Sequence, residues 1–301
     1  MHPHDWVDIP GVCFIKSGAL SPRDPASRNR LNSMVDPATQ RKILVVHGVE
    51  TGTNTDQRQD RDIRTIIERS LQASGAELDF GVDLYAYEDL NDEAKQKYEA
   101  LLHVLLTAIA GPPAAWAVDK IVDVVGDVVI SLTDDSTAHA IREGLQKRIL
   151  KYFADGHPLY IVAHSLGSIY SFDVINELIR ANAGRFQRSQ RLNWPVWGLM
   201  TLGSPIGLKM FGGRQTAALP GAGLARFPWL NYWDPLDPVV SGSVIGAPET
   251  AEVIAEAFQN IGGNWLIRDR RIDSGKQWLA AHTSYWKLPE IGDELASWLA
   301  S

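Results

Sequence analysis

The sequence predicts an α/β fold, a mostly parallel sheet flanked by helices on both faces, and three observations carry that prediction. Short, nearly unbroken apolar runs at residues 43–46 and 160–163 read as strands buried on both faces. Each is followed by apolar residues at helical spacing: Ile63, Ile66, Ile67 and Leu71 after the first, Ile169, Phe172, Val174, Ile175 and Ile179 after the second. Between the second strand and its helix stands Ser165, with the small residues Ala163 and Gly167 two positions to either side. A tight strand-to-helix turn that presents a serine needs small residues at those places, because larger side chains would clash. Two readings of Ser165 stay open here: a nucleophile at the carboxyl edge of the sheet, or a serine that caps its helix. On the first, the Leu166 backbone N–H at the helix start could face a developing oxyanion.

Composition narrows the classes. The 301 residues suffice for one large α/β domain or two small ones, and 45% apolar with 22% charged residues is ordinary for a globular protein. A formal charge of -7 without a basic block argues against a nucleic-acid partner. Cys13 is the only cysteine, so neither an intrachain disulfide nor a thiolate metal cluster is available. The first residues lack the basic-then-apolar pattern of a signal peptide, and the expected location is cytoplasmic.

Taken in order, residues 1–41 are weakly patterned apart from an apolar run at 12–15, and are expected to form an extended arm ahead of a main domain at 42–301. His47-Gly48 closes the first strand; a glycine there lets backbone approach a bound carbonyl, and a plain strand end is the equal alternative. Residues 82–87 read as a strand. Residues 91–135 then interrupt the alternation with two apolar stretches split by Gly111-Pro112-Pro113. They are too short to span a membrane and are expected to be a helical cap or lid over the sheet edge. That cap either forms a groove for an acyl chain or merely enlarges the core. A helix is expected over 136–153, and further strands over 195–202, 229–233 and from 264 onward, with a closing helix around 291–299. The glycine-rich loop 207–223 lacks a phosphate-binding spacing.

A serine hydroxyl needs a histidine to take its proton and a carboxylate to hold that imidazole. Ser165, Asp237 and His282 each follow a predicted strand, and strand ends on an α/β scaffold converge on one edge. Ser204 is a rival serine, but Pro205 behind it has no N–H to offer an oxyanion. The order Ser, Asp, His, the elbow 163–168 (Ala-His-Ser-Leu-Gly-Ser), and the pieces 45–48, 201–205, 231–239 and 282–286 resemble the α/β-hydrolases, in particular lipase-like bacterial serine hydrolases and esterases. That resemblance implies Ser165 as nucleophile, Asp237 as orienting acid with Asp234 as the alternative, His282 as general base, and oxyanion donors from Leu166 and from Val49 or Gly48. His164 and His47 read as packing residues.

The expected activity is therefore hydrolysis of carboxylic esters through an acyl-enzyme, on a small-molecule or lipid ester with a hydrophobic acyl group, without cofactor or metal. An amidase or peptidase using the same triad is the nearest alternative. A protein-interaction module that keeps the scaffold is a second, and a membrane-surface role is disfavoured by the acids flanking 101–132. Oligomeric state is not legible in the sequence.

Overall fold

Side-chain alternation along the first strand explains the layering. In β1, Arg41–Val46, Ile43 and Val45 face one hydrophobic cluster while Leu44 and Val46 face the other, as a period of two requires of a strand covered on both sides. The molecule is described by a computed structural model over residues 40–47, 58–85, 136–181, 194–207, 216–217, 227–241, 265–276 and 279–301. Residues 1–39, with the 12–15 run, lie outside these, as do the expected cap at 91–135 and most of the loop 207–223.

Helix α1, Gln59–Ser74, buries Ile63, Ile66, Ile67 and Leu71 on one stripe and ends at Gly75 in the left-handed conformation, φ 69°. Strand β2, Phe80–Tyr85, begins two residues before the apolar pattern suggested. Helix α2, Ser136–Ala154, leads into β3, Leu159–His164, every residue of which is buried. Helix α3, Leu166–Ala181, follows after a single intervening residue, Ser165. Next come β4, Gly198–Leu202, and β5, Phe227–Trp233, then the one-turn helix α4, Pro238–Ser241. Strand β6, Trp265–Arg271, the short helix α5, Leu279–His282, a 3-10 turn over Tyr285–Lys287 and helix α6, Pro289–Ala300, complete the chain.

Among the described residues the six strands form one sheet in the order β2-β1-β3-β4-β5-β6, with every neighbouring pair parallel. Helices α1 and α6 cover one face, joined by Ile63, Ile67, Ile291, Leu295 and Leu299; α2 and α3 cover the other through Ile141, Leu145, Ile149, Ile175 and Ile179. The expected class, a parallel sheet flanked by helices on both faces, is what the chain adopts. β1 includes Arg41, the last residue of the expected arm, paired with Phe80. β6 continues beyond its apolar start at residues 265–267 through Arg268, Asp269, Arg270 and Arg271. Among the described residues β6 has a neighbour on one side only, and a strand so placed can keep charged side chains in solvent.

The order of the strands also sets the site. The chain moves outward from β1 to β2 and then returns to place β3 on the opposite side of β1. Connections leave such a pair in opposite directions and open a crevice at their carboxyl ends. His47 and Ser165 lie at that end.

Candidate active site

The turn at Ser165 is strained in the way a serine-presenting elbow requires. Ser165 has φ 52°, and among the described residues no other non-glycine has a positive φ. That conformation costs an ordinary side chain roughly 1 kcal/mol or more, so the surrounding structure has to hold it. Three bonds do so. The Ser165 N–H donates to the Leu202 carbonyl at 3.1 Å, and the Ser165 carbonyl accepts from the Ser168 N–H at 3.0 Å and from the Ser168 hydroxyl at 2.5 Å. The glycine at 167 is explained as well: a Cβ there would stand 2.6 Å from the Val46 carbonyl oxygen and 2.9 Å from the His47 carbonyl carbon. Helix α3 thus starts against bare backbone at the end of β1. Leu166 is its first residue, and a first-turn N–H has no acceptor within the helix.

Ser204 is accounted for by the same turn. Since the Ser168 hydroxyl donates to Ser165, the 2.5 Å contact between the Ser168 and Ser204 oxygens needs the Ser204 proton, and Ser204 Oγ accepts the Ile206 N–H at 3.2 Å. Ser204, 1% exposed, braces the elbow.

The two aspartates after β5 have different work. Asp234 accepts the Leu236 N–H on Oδ1 at 2.8 Å, and the Ser274 N–H and hydroxyl on Oδ2 at 2.9 and 2.6 Å. It ties the loop after β5 to the loop after β6. Asp237 stands immediately before α4, with Pro238 at the first helical position, and Oδ1 accepts the Val239 N–H at 2.9 Å. That is the bond of an aspartate capping a helix, and it fixes the carboxylate. Oδ2 is thereby aimed at His282, whose Nδ1 lies 2.9 Å away. Asp237 is fully buried and His282 is 7% exposed, so neither group is screened by bulk water.

The Ser165 backbone and this pair both adjoin the end of β4. Ser165 is bonded to Leu202, and the next residue, Gly203, has φ 53°. A Cβ there would lie 2.7 Å from Tyr285 Cε2, 2.8 Å from Asp237 Oδ2 and 3.1 Å from His282 Nδ1. From the other side His164 Nε2 is 2.7 Å from the His282 carbonyl oxygen, and the two rings are 4.5 Å apart. A carbonyl can only accept, so His164 carries its proton on Nε2. His47 stacks on Trp286 at 5.7 Å and tilts toward His164 at 5.6 Å. Gly48 and Val49 lie outside the described residues.

Burial, followed by the neighbouring His282 and His47, pushes the His164 imidazole well below its usual 6.5. A proton on Nδ1 would be buried, and that atom has no hydrogen-bond partner among the described residues. The unfolded chain protonates this residue below about 6.5 and the folded chain does not, so its share of stability is present above that pH and is lost as the pH falls. The loss approaches about 1.4 kcal/mol per pH unit for one proton. Urea unfolding between pH 7.5 and 5 is expected to show a steeper fall for the native protein than for His164→Gln, which keeps a donor for the His282 carbonyl. Equal slopes would contradict a buried neutral His164.

Sequence reasoning named Ser165, Asp237 and His282 but gave Tyr285 no role. Tyr285 donates its hydroxyl to Asp237 Oδ2 at 2.7 Å and accepts the Asp234 N–H at 3.0 Å. One signal was available: it lies three positions after His282, a spacing that puts two side chains on one side of a helical turn. Among the described residues no group of three or more His, Cys, Asp or Glu is placed to hold a metal ion, and no helix is long and apolar enough to cross a membrane.

A parallel sheet with a positive-φ serine between its third strand and the following helix is the core of the α/β-hydrolase fold. No family model matches the chain, and no curated protein matches it. Solved structures that resemble it include a cutinase-like protein from Cryptococcus sp., 12% identical with a TM-score of 0.38, covering 87% of this chain and 93% of its own. An esterase of Pyrococcus furiosus is 11% identical with a TM-score of 0.39, over 88% of this chain and 84% of that one. Esterase PE8 is 14% identical with a TM-score of 0.34, over 88% and 94%.

Proposed function

We propose that the protein is a serine hydrolase of carboxylic esters, with Ser165 as nucleophile, His282 as general base and then acid, and Asp237 as the carboxylate that orients the imidazole. The observation that carries this reading is the buried 2.9 Å bond from His282 Nδ1 to Asp237 Oδ2, at the edge where Ser165 is held at φ 52°. With Nδ1 committed to the carboxylate, Nε2 is the free base. Ser165 Oγ attacks the ester carbonyl while Nε2 takes its proton; the C–O bond to the alcohol breaks, and the alcohol leaves with that proton. Water then gives its proton to Nε2 and its oxygen to the acyl carbon, which releases the acid and restores Ser165. Leu166 N–H, with Gly48 or Val49 as second donor, receives the oxyanion in both steps.

A hydrophobic acyl group is proposed from composition alone, on the apolar residues 101–106 (Leu-Leu-His-Val-Leu-Leu) within 91–135, which lie outside the described residues. The test is turnover of p-nitrophenyl esters from acetate to palmitate beside the matching p-nitroanilides. Ester hydrolysis that improves with chain length and falls at least about 10⁴-fold in Ser165→Ala is expected. Faster cleavage of the anilides would move the reading to an amidase, and a chain-length optimum at acetate would remove the acyl-groove proposal.

A further inference from the structure

We propose that Tyr285 is a positioning residue that acts through Asp237: its hydroxyl anchors the carboxylate oxygen on which His282 depends and limits how strongly that oxygen draws the Nδ1 proton. This rests on the triad reading above and adds a fourth member to it. The bond directions are fixed by chemistry. The Asp234 N–H can only donate, so at 3.0 Å it occupies a lone pair of the phenol oxygen, and the phenol proton is left for Asp237 Oδ2 at 2.7 Å. Burial, then the Asp237 charge, hold the phenol well above its usual 10, so it remains a donor wherever the enzyme works.

Oδ2 therefore serves two donors, Tyr285 and His282, while Oδ1 serves Val239. Two protons on one oxygen share its charge, and each is bound less tightly than it would be alone. Gly203 leaves the room for this junction, since a side chain there would meet all three of Tyr285, Asp237 and His282. Among the described residues the titratable groups around His282 are Asp237 and Asp234 from the loop after β5, Tyr285 from the 3-10 turn, His164 from the end of β3, and His47 behind His164 from the end of β1. Of these, Asp237 contacts the imidazole on Nδ1, and Tyr285 contacts the same Asp237 oxygen.

Tyr285→Phe removes the hydroxyl and keeps the buried ring. Without its competitor, the His282 Nδ1 proton is bound more strongly by Oδ2, and the imidazolium is favoured to a higher pH. Proton NMR in water is expected to show the low-field Nδ1–H resonance moving further downfield in the variant. The acid limb of the kcat/KM profile is expected to move the same way, with a loss of about three- to tenfold at pH 6 and less than about twofold at pH 9. In the Asp237→Asn background the same change is expected to add nothing, because the two act through one oxygen.

An unmoved resonance overturns the proposal, as does a loss that is equal at both pH values or that persists in the Asp237→Asn background. The NMR arm needs no turnover. If no ester is hydrolysed, the resonance still decides the role of Tyr285, and if esters are hydrolysed while the resonance stays put, the Tyr285 proposal falls alone.

Discussion

Asp237→Asn lowers kcat about 10⁴-fold in a protein that still folds. The size follows from how the carboxylate is held. Oδ1 accepts the Val239 N–H, a donor that cannot turn away because it opens α4. An asparagine at 237 would keep its carbonyl oxygen in that position, since placing the amide NH₂ there would set donor against donor. The NH₂ would then occupy the place of Oδ2, facing His282 Nδ1. To accept from it, the imidazole must carry its proton on Nε2, and an Nε2–H cannot take a proton from Ser165. The cap remains satisfied, while the Tyr285 hydroxyl loses its acceptor and meets the new NH₂ donor to donor, so stability is expected to fall by about 1–3 kcal/mol. A kcat within tenfold of the native value would show that Asp237 does not set the tautomer of His282.

Gly203→Ala is the second large effect, and it separates strain from collision. An alanine at φ 53° costs roughly 1–2 kcal/mol by backbone alone. Its Cβ would also stand 2.7 Å from Tyr285 and 2.8 Å from Asp237 Oδ2, distances that force the junction apart. Overpacking of this kind costs about 1–3 kcal/mol more, which gives a total of roughly 2–5 kcal/mol. Gly275 is the control: its φ is 64°, and a Cβ there would meet nothing within 4 Å. Gly275→Ala is expected to lower stability by the backbone cost alone and to leave kcat as it was. Gly203→Ala is expected to be less stable still and to lose more than about 100-fold in kcat, because a shift of an ångström at a catalytic pair has that consequence. Equal activity in the two variants would contradict the placement of Gly203 under Asp237 and His282.

The strands buried on both faces were legible because such strands are apolar without alternation, as in residues 43–46 and 160–163. The charged half of β6 was not, since β6, the last strand of the sheet among the described residues, needs no apolar pattern to hold its bonds to β5. The same limit governed the site. The turn chemistry around Ser165 is local, so Ala163 and Gly167 disclosed it. Asp237 and Asp234 sit three residues apart in like surroundings, and what separates them is spatial: Pro238 and Val239 make Asp237 a helix cap aimed at His282, while Ser274, 40 residues on, takes Asp234. Tyr285 and Gly203 matter only because β4, β5 and the turn before α6 converge, and no periodicity in sequence records that convergence.

The most direct test of the account is covalent labelling by an alkyl fluorophosphonate, read by intact mass and peptide mapping in the native protein and in Ser165→Ala. The account predicts one adduct per chain, on Ser165, and none in the variant. An adduct on Ser204 or another residue, or labelling that persists in Ser165→Ala, would contradict it.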